Sequence, residues 1–332
     1  MSNDYDNWKE YLRYNPISPL ILSDNKAINY YLKQDILDEK VDNIESLWEL
    51  PSVISILNKQ QEDGSWKYSG GKEEIRSKVN YNQLETYRIM RVLVDKYGLN
   101  NTNNAISNAC KFLFSFQTEE GDFRGIYGNQ YTPNFTAAII EILIKAGYEN
   151  DDRIDLGINW LISMKQNDGG WAIPFRTTKN KIRDLINANY KIDPIKNNPN
   201  MPSSHLVTGI VLRAFAEHPH YKKSIHAKKA GIFLKSQFLK KDNYPDHESP
   251  DYWGKFSYPF WWADIVSSLD SLSKLRFSID DLDIKRGLTY LANLQRSDGT
   301  WKVYYGLPKE DDNDLWITLA VCRIFKRFYP IK

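Results

Sequence analysis

The sequence is poor in cysteine, in net charge and in long apolar runs, and each shortage excludes something. Only two cysteines, Cys110 and Cys322, occur in 332 residues. Both sit inside apolar segments and spell no metal or redox spacing, so a disulfide framework is excluded and a reducing cytosol is the expected compartment. Forty-four basic residues face 42 acidic ones, a formal charge of +2. That balance removes nucleic-acid binding as the default function, because phosphate affinity rests on an excess of clustered Lys and Arg. No stretch approaches the roughly 20 apolar residues that span a bilayer. The purest run, AAIIEILI at 137–144, is interrupted by Glu141. The first residues, MSNDYDNWKEYLRY, carry neither the cationic start nor the apolar core of a secretory signal, so a cytoplasmic location is expected.

What is abundant is aromatic: 10 Trp, 21 Tyr and 14 Phe. Many of them fall in an internal repeat, the first thing to seek in a chain of this length. Four segments join an apolar helix, a Gln and an acidic-Gly turn to an aromatic residue. They are ILNKQQEDGSW (56–66), FLFSFQTEEGDF (112–123), WLISMKQNDGGW (160–171) and YLANLQRSDGTW (290–301). Gln60, Gln117 and Gln295 stand at one spacing from Trp66, Phe123 and Trp301; in the third copy Lys165 takes the Gln position. The interval between Trp171 and Trp301 leaves room for a further copy, and AGIFLKSQFL (230–239) fills it without the turn. Asp-Gly is turn chemistry, since Gly accepts a positive φ and Asp bonds its own backbone. The Trp residues of these turns are accordingly expected to pack each turn on the next unit rather than to touch a ligand.

A second helix class alternates with the first: YRIMRVLVDKYG (87–98), TAAIIEILIKAG (136–147), TGIVLRAFAEHP (208–219), DIVSSLDSLSKL (264–275) and TLAVCRIFKRFY (318–329). Four of these are apolar nearly all round, which marks a helix buried on every side. The first class has one stripe only, as in Ile106, Cys110, Leu113 and Phe116, or Ile284, Leu288, Leu291 and Leu294. Fully buried helices alternating with one-sided ones predict an inner ring wrapped by an outer ring. With residues 25–40 as a sixth inner helix, the expected fold is an all-α (α/α)6 barrel over 25–332, with residues 1–24 as an extension packing on it.

The Q-x-x-[DE]-G-x-[WF] turns resemble the QW-type repeats of the terpenoid cyclase and protein prenyltransferase toroid family, over about residues 25–330. The resemblance implies a toroid with an apolar isoprenoid as substrate; the fold alone does not choose the reaction.

Loop lengths choose the working end. Connections from inner to outer helices are short, whereas 172–203 and 240–260 are long and precede inner helices. Long loops in compact domains are usually functional, so the mouth is expected at the inner-helix N-termini. Free N–H groups there would favour an anionic ligand group. Aligning the inner helices on Thr86, Thr136, Thr208, Ile265 and Thr318 brings Glu85, Phe135, His205, Phe260, Trp261, Trp262, Asp264, Asp314 and Trp316 to this rim. The run YPFWWAD (258–264) offers an aromatic wall for a polyprenyl chain and a developing cation; core and lid packing is the competing reading, because two adjacent Trp cannot both face the same side of a helix. Five positions beyond the anchors stand Arg91, Glu141, Arg213, Asp270 and Arg323, with Asp35 on the first helix. Acid and base alternate, which predicts a closed belt of ion pairs.

Class II cyclases, as the resemblance implies, protonate an alkene with the middle Asp of a DxDD motif. None exists here: the second helix reads PNFTA, with Asn134 and Phe135 where carboxylates would stand. Asp264 is the best candidate acid, a role that needs the Trp pair to bury it, since a helix N-terminus keeps a carboxylate ionised. His205 is the second catalytic candidate, with a hydrogen-bonded structural His as the alternative. Trp261, Trp262, Trp316, Phe260, Phe135, Glu85, Arg176 and Asp314 are the substrate-binding candidates. The zinc set of the prenyltransferases is missing, because no D-x-C occurs and Cys322 lies mid-helix; no metal site is expected and no cofactor is named. The acidic loop DNYPDHESPD (242–251) reads as a solvated loop or an oxygen-ligand cation site, and the basic run 175–184 as a solubility feature or a diphosphate contact. Three functions fit this set. An isoprenoid cyclase-like protein comes first, with a small apolar or amphiphilic ligand as partner and no nucleic acid. A non-catalytic binding or scaffold toroid and a carbohydrate-active helical barrel are the alternatives. Peripheral membrane contact and oligomeric state stay open.

Overall fold

The computed structural model describes residues 4–72, 76–178, 192–306 and 312–330. Its helices are α1 (Ile17–Ile21), α2 (Lys26–Tyr31), α3 (Pro51–Leu57), α4 (Lys78–Tyr97), α5 (Asn104–Phe114), α6 (Pro133–Leu143), α7 (Asp152–Ser163), α8 (His205–Glu217), α9 (Ile225–Ser236), α10 (Ile265–Lys274), α11 (Leu282–Asn293) and α12 (Asn313–Phe328). Short π-helical turns, Leu32–Ile36 and Ile144–Tyr148, prolong α2 and α6.

The even-numbered helices α4, α6, α8 and α10 touch in succession, α10 touches α12, and α12 touches α2, which returns to α4. The inner ring is therefore closed. Helices α3, α5, α7, α9 and α11 pack outside it, and α1 leans on α12 and α2. The fold is the expected all-α toroid. Burial explains the two layers: in α6 every residue from Thr136 to Leu143 is buried, whereas α5 buries only Ile106, Ala109, Cys110, Leu113 and Phe114. One expected stripe is shorter than its spacing suggests. In α11 burial ends at Leu291 and Ala292, and Leu294, the C-cap, turns outward.

The repeat turn is a joint between units. Trp66 donates its indole N–H to the carbonyl of Ile56 on its own outer helix (2.9 Å), and Trp171 and Trp301 do the same to Leu161 and Leu291. The backbone N–H of Trp66, Phe123, Trp171 and Trp301 then reaches the hydroxyl of Thr86, Thr136, Thr208 and Thr318 at 2.9–3.2 Å. Each outer helix is thus tied to the following inner helix. The Gln amide joins outer helices: Gln60 donates to Gly64 and to Ala105 of α5, and Gln117 to Gly121 and to Arg153 of α7. Lys165 performs this task in the third copy through the carbonyl of His226 (3.3 Å). Where the turn is missing after α9, Lys235 pairs with Asp281 and Asp283 at the start of α11 instead. The turn glycine is obligatory on two counts: Gly64 and Gly121 have φ of 85° and 105°, and a Cβ would lie 2.5–2.6 Å from a backbone oxygen of the next outer helix.

Gln295, the last repeat glutamine, accepts from the backbone N–H groups of Arg13 and Tyr14 and donates to the Tyr14 carbonyl. The N-terminal segment thereby occupies the remaining outer position, with Tyr11 stacked on Tyr329.

Candidate functional site

The toroid's hollow is divided by its own chain. Strand β1 (Phe256–Tyr258) pairs in parallel with β2 (Val303–Gly306) and delivers residues 259–263 into the ring. The Ser257 hydroxyl accepts from the Trp261 N–H (2.8 Å), and Trp262 donates its indole N–H to the Lys255 carbonyl (2.7 Å). Tyr258 stacks on Trp316 with ring centres 5.6 Å apart and planes 9° apart.

On one side of this plug, at the inner-helix N-termini, lies a cavity of about 150 Å³. Its walls are Tyr87, Tyr127, Phe135, Trp261 and Trp262, with Ile173, Ile210 and Val207 as aliphatic filling and Asn134, Asp246 and His247 at the edge. On the other side, at the inner-helix C-termini, a bowl of about 770 Å³ is lined by Asp35, Asp95, Lys145, Glu217, Asp270, Lys274, Arg323 and Arg327, with Tyr258 and Phe260 in its floor. The expectation of a single mouth at the N-terminal rim is corrected: the aromatic cavity is there, but the larger opening is at the opposite end and is charged. The 258–262 segment fills the space that an empty toroid would leave at the rim.

The charged belt is only partly formed. Arg213 pairs with Glu141 (2.9 Å) and Arg323 with Asp35 (2.5 Å) as expected. Asp270 instead meets Lys274 (2.7 Å) and Arg327, one turn beyond Arg323, because Arg323 is already engaged by Asp35. Arg91 meets no acid among the described residues. Its guanidinium sits over Trp261 (4.9 Å) and Tyr87 (5.5 Å), and both terminal nitrogens are buried without a hydrogen-bond partner among the described residues. The plug has taken the place of its carboxylate. Lys145 adds a hub to the belt, contacting Asp95 (3.0 Å) and Glu141 (2.7 Å). Despite burial, Arg213 and Lys145 hold the Glu141 carboxyl down at about 2.

A model of the squalene-hopene cyclase C-terminal domain matches residues 79–182 and 135–305. The chain belongs to that family. A squalene–hopene cyclase of Bradyrhizobium diazoefficiens is 26% identical over 218 residues, which are 59% of this chain and 30% of that enzyme. The chain thus spans under a third of the length of the cyclase it matches. Among solved structures, a type II terpene cyclase from Scytonema is similar with a TM-score of 0.39, 13% identity and coverage of 87% and 99% of the two chains. The unsaturated glucuronyl hydrolase of Bacillus sp. GL1 is similar with a TM-score of 0.38, 12% identity and coverage of 78% and 76%.

In this squalene-hopene cyclase family member, Asn134 and Phe135 both line the aromatic cavity, so the position where the resemblance puts the cyclase acid is a cavity wall without a carboxylate. Asp264 lies just below. It caps α10, accepting from the N–H groups of Ser267 (2.8 Å) and Ser257 (3.3 Å), and is fully buried. Burial pushes its carboxyl up to about 7 against those hydrogen bonds and the nearby Arg213. Asp264 is therefore buried, and its carboxyl lines neither cavity described above.

The other candidates disperse. His205 is buried, stacks on Trp253 (4.5 Å) and lies 3.3 Å from Asp242, which also accepts from Ser204 and Leu206. Burial lowers the His205 pKa, with Asp242 opposing. Phe260 faces the charged bowl, and Trp316 is buried between Tyr258 and Tyr31. Glu85 pairs with Arg88 (3.1 Å), and Asp314 accepts from the Val303 N–H (2.7 Å) and pairs with Arg296 (2.8 Å). Arg176 meets Asp246 (2.5 Å) at the cavity edge, while Lys179, Lys181 and Arg183 of the same run lie outside the described residues. Trp261, Trp262 and Phe135 are the three that come together.

Tyr87, Tyr127, Asp246 and His247 complete the cavity without having been singled out. Tyr87 directly follows the anchor Thr86, a signal that was available. Asp246 and His247 belong to the acidic loop, whose composition alone did not separate cavity edge from solvated surface. Among the described residues no three His, Cys, Asp or Glu side chains converge to hold a metal ion, and no helix is long and apolar enough to cross a membrane.

Proposed function

We propose that this terpenoid-cyclase-like toroid binds the end of an apolar, isoprenoid-like chain in its aromatic cavity and does not start a proton-initiated cyclisation there. The observation that carries this reading is the cavity's wall: Tyr87, Phe135, Trp261 and Trp262 surround a space of about 150 Å³ next to Asn134. A dry apolar cavity of about that volume accepts a molecule the size of benzene. One isoprene unit fits, and the remainder of the chain leaves past Asp246 and His247. Arg176 neutralises Asp246, so the edge does not repel a polar terminal group by unpaired charge. The absence of a carboxylate at positions 134 and 135 supports binding over protonation. In this reading Asp264 is a positioning residue: its carboxyl holds Ser257 and Ser267, and with them both ends of the Trp261–Trp262 segment.

The test is quenching of tryptophan fluorescence by farnesol, with maltotriose as the comparison. Farnesol should quench saturably, Ala138→Phe should abolish the effect because Ala138 lines the cavity and the larger ring would fill it, and Phe135→Ala should weaken it about tenfold, the value of one wall contact of about 1.4 kcal/mol. Product analysis should return farnesol unchanged. Quenching by maltotriose alone, or undiminished farnesol binding in Ala138→Phe, would overturn the proposal.

A further inference from the structure

A third cavity, remote from the aromatic one, has an unbalanced charge. It lies at the short-loop end between the turn after α8 and the turn joining α10 to α11, with a volume of about 940 Å³. Lys222, Lys223, Lys228, Lys274 and Arg276 line it, together with Ser224 and Ser278, and no acidic residue does. Lys274 is spent on Glu217 and Asp270. The other four cations make no ion pair among the described residues, and each is exposed. Of the nearby carboxylates, Glu217 is paired with Lys274, and Asp280 is exposed and 3.9 Å from Lys285. The uncompensated field extends along α9. Burial lowers the pKa of His226, with Lys165 and then Lys229 adding to it, and burial with Lys229 brings Lys165 down to about 8. In a chain whose total charge is only +2, four cations around one cleft without an ion pair among the described residues form a local excess.

We propose that this cleft binds a phosphorylated ligand through its phosphoryl groups, with Lys222, Lys223, Lys228 and Arg276 as the recognition set. The chemistry follows from the donors. Ammonium groups meet phosphate oxygens as point charges, and a guanidinium meets them as a two-pronged donor. An organic diphosphate carries about three negative charges at neutral pH, which four cations suffice to neutralise. The cavity leaves space beyond those groups for an organic substituent. The site is independent of the aromatic cavity, which lies at the other end of the ring.

The experiment is calorimetric titration with inorganic pyrophosphate at low ionic strength, where surface charge is least screened. The wild-type protein should bind with an affinity that falls as salt is added. The double variant Lys222→Glu, Lys228→Glu should lose at least about tenfold in affinity, and Arg276→Gln should lose less. Lys59→Glu, an exposed reversal elsewhere, should bind as the wild type does. Co-sedimentation with phosphatidic acid vesicles separates the sources. Vesicle binding that pyrophosphate displaces assigns a lipid headgroup, and pyrophosphate binding without co-sedimentation assigns a soluble ligand. No binding of pyrophosphate at millimolar concentration, or equal binding by the double variant with its thermal unfolding unchanged, would overturn the proposal.

Discussion

Asp264 and Glu141 are both buried carboxylates close to Arg213, yet burial wins at one and charge at the other. Glu141 has two cations in direct contact and remains ionised; Asp264 has backbone and hydroxyl donors, with the nearby Arg213 the least of the influences that oppose burial. The consequences for stability are opposite in sign. The Asp264 pKa is raised above its unfolded value, so the stability it contributes is complete below about pH 4 and is lost as the pH rises through about 7. Asp264→Asn keeps a capping oxygen for Ser267 and removes the titration. Urea unfolding of the wild type should therefore show a decline in stability from pH 5 to pH 8 that is flatter in the variant, and parallel curves would count against a neutral Asp264. Glu141 is depressed, so its contribution is present above the unfolded pKa and lost as the pH falls through about 2. Arg213→Met removes the Nε bond to Glu141 and leaves Lys145 as its single counter-ion. The expected cost is about 3 kcal/mol at neutral pH, because a buried carboxylate loses half its compensation. Acid unfolding followed by circular dichroism should also begin at a higher pH in that variant.

At the scale of the element, the repeat unit matters through a function that different residues can discharge. A glutamine at the end of an outer helix donates to a carbonyl of the next outer helix, and Lys165 makes the same bond to His226 with a charged group. The charge is a handicap there. Burial and Lys229 bring Lys165 down to about 8, so folding works against its protonated form at neutral pH. A group depressed in this way costs stability at low pH and recovers it as the pH rises from about 8 towards its unfolded value. Lys165→Gln restores the amide of the other copies without the ammonium. The variant should be more stable by about 1 kcal/mol at pH 7, a rise of about 2–4 °C in Tm. The gain should shrink above pH 9 in differential scanning calorimetry; a loss at both pH values would mean that the longer lysine stem is needed to reach His226.

At the scale of the molecule, the ring was legible because it is periodic. The spacing from Gln60 to Trp66 recurs at Gln117 and Gln295, and the anchors Thr86, Thr136, Thr208 and Thr318 accept from the turn that precedes each. The site was legible only in part, because a cavity is defined by what fails to fill it. Trp261, Trp262 and Phe135 were placed at the rim by counting from the anchors. That Phe260 would turn to the other cavity depended on the path of residues 256–262, which β2 and Trp316 set from far along the chain. The belt failed at Arg91 for the same reason, since local spacing cannot foresee an aromatic plug from elsewhere.

In the outer layer, Gln295 joins the two ends of the ring. Gln60 and Gln117 each join two outer helices already neighbours in sequence, but Gln295 joins the end of α11 to Arg13 and Tyr14, more than 280 positions away. It makes three bonds to that segment where Gln60 makes one to α5. Removing a side chain that satisfies buried backbone groups costs about 1–3 kcal/mol. Gln60→Ala should fall at the lower end of that range and Gln295→Ala at the upper end in urea unfolding. The two should also differ in kind. Loss of the Gln60 link leaves the chain connection between α3 and α5 to hold the pair, so exchange protection should change little beyond the turn. Loss of the Gln295 link frees a terminal segment, so amide hydrogen exchange should accelerate in residues 13–22 and along the face of α12 that α1 covers. Equal stability losses with no change in exchange at α1 would show that Tyr11 on Tyr329 and the burial of Ile17 and Leu20 suffice to close the outer layer without the glutamine.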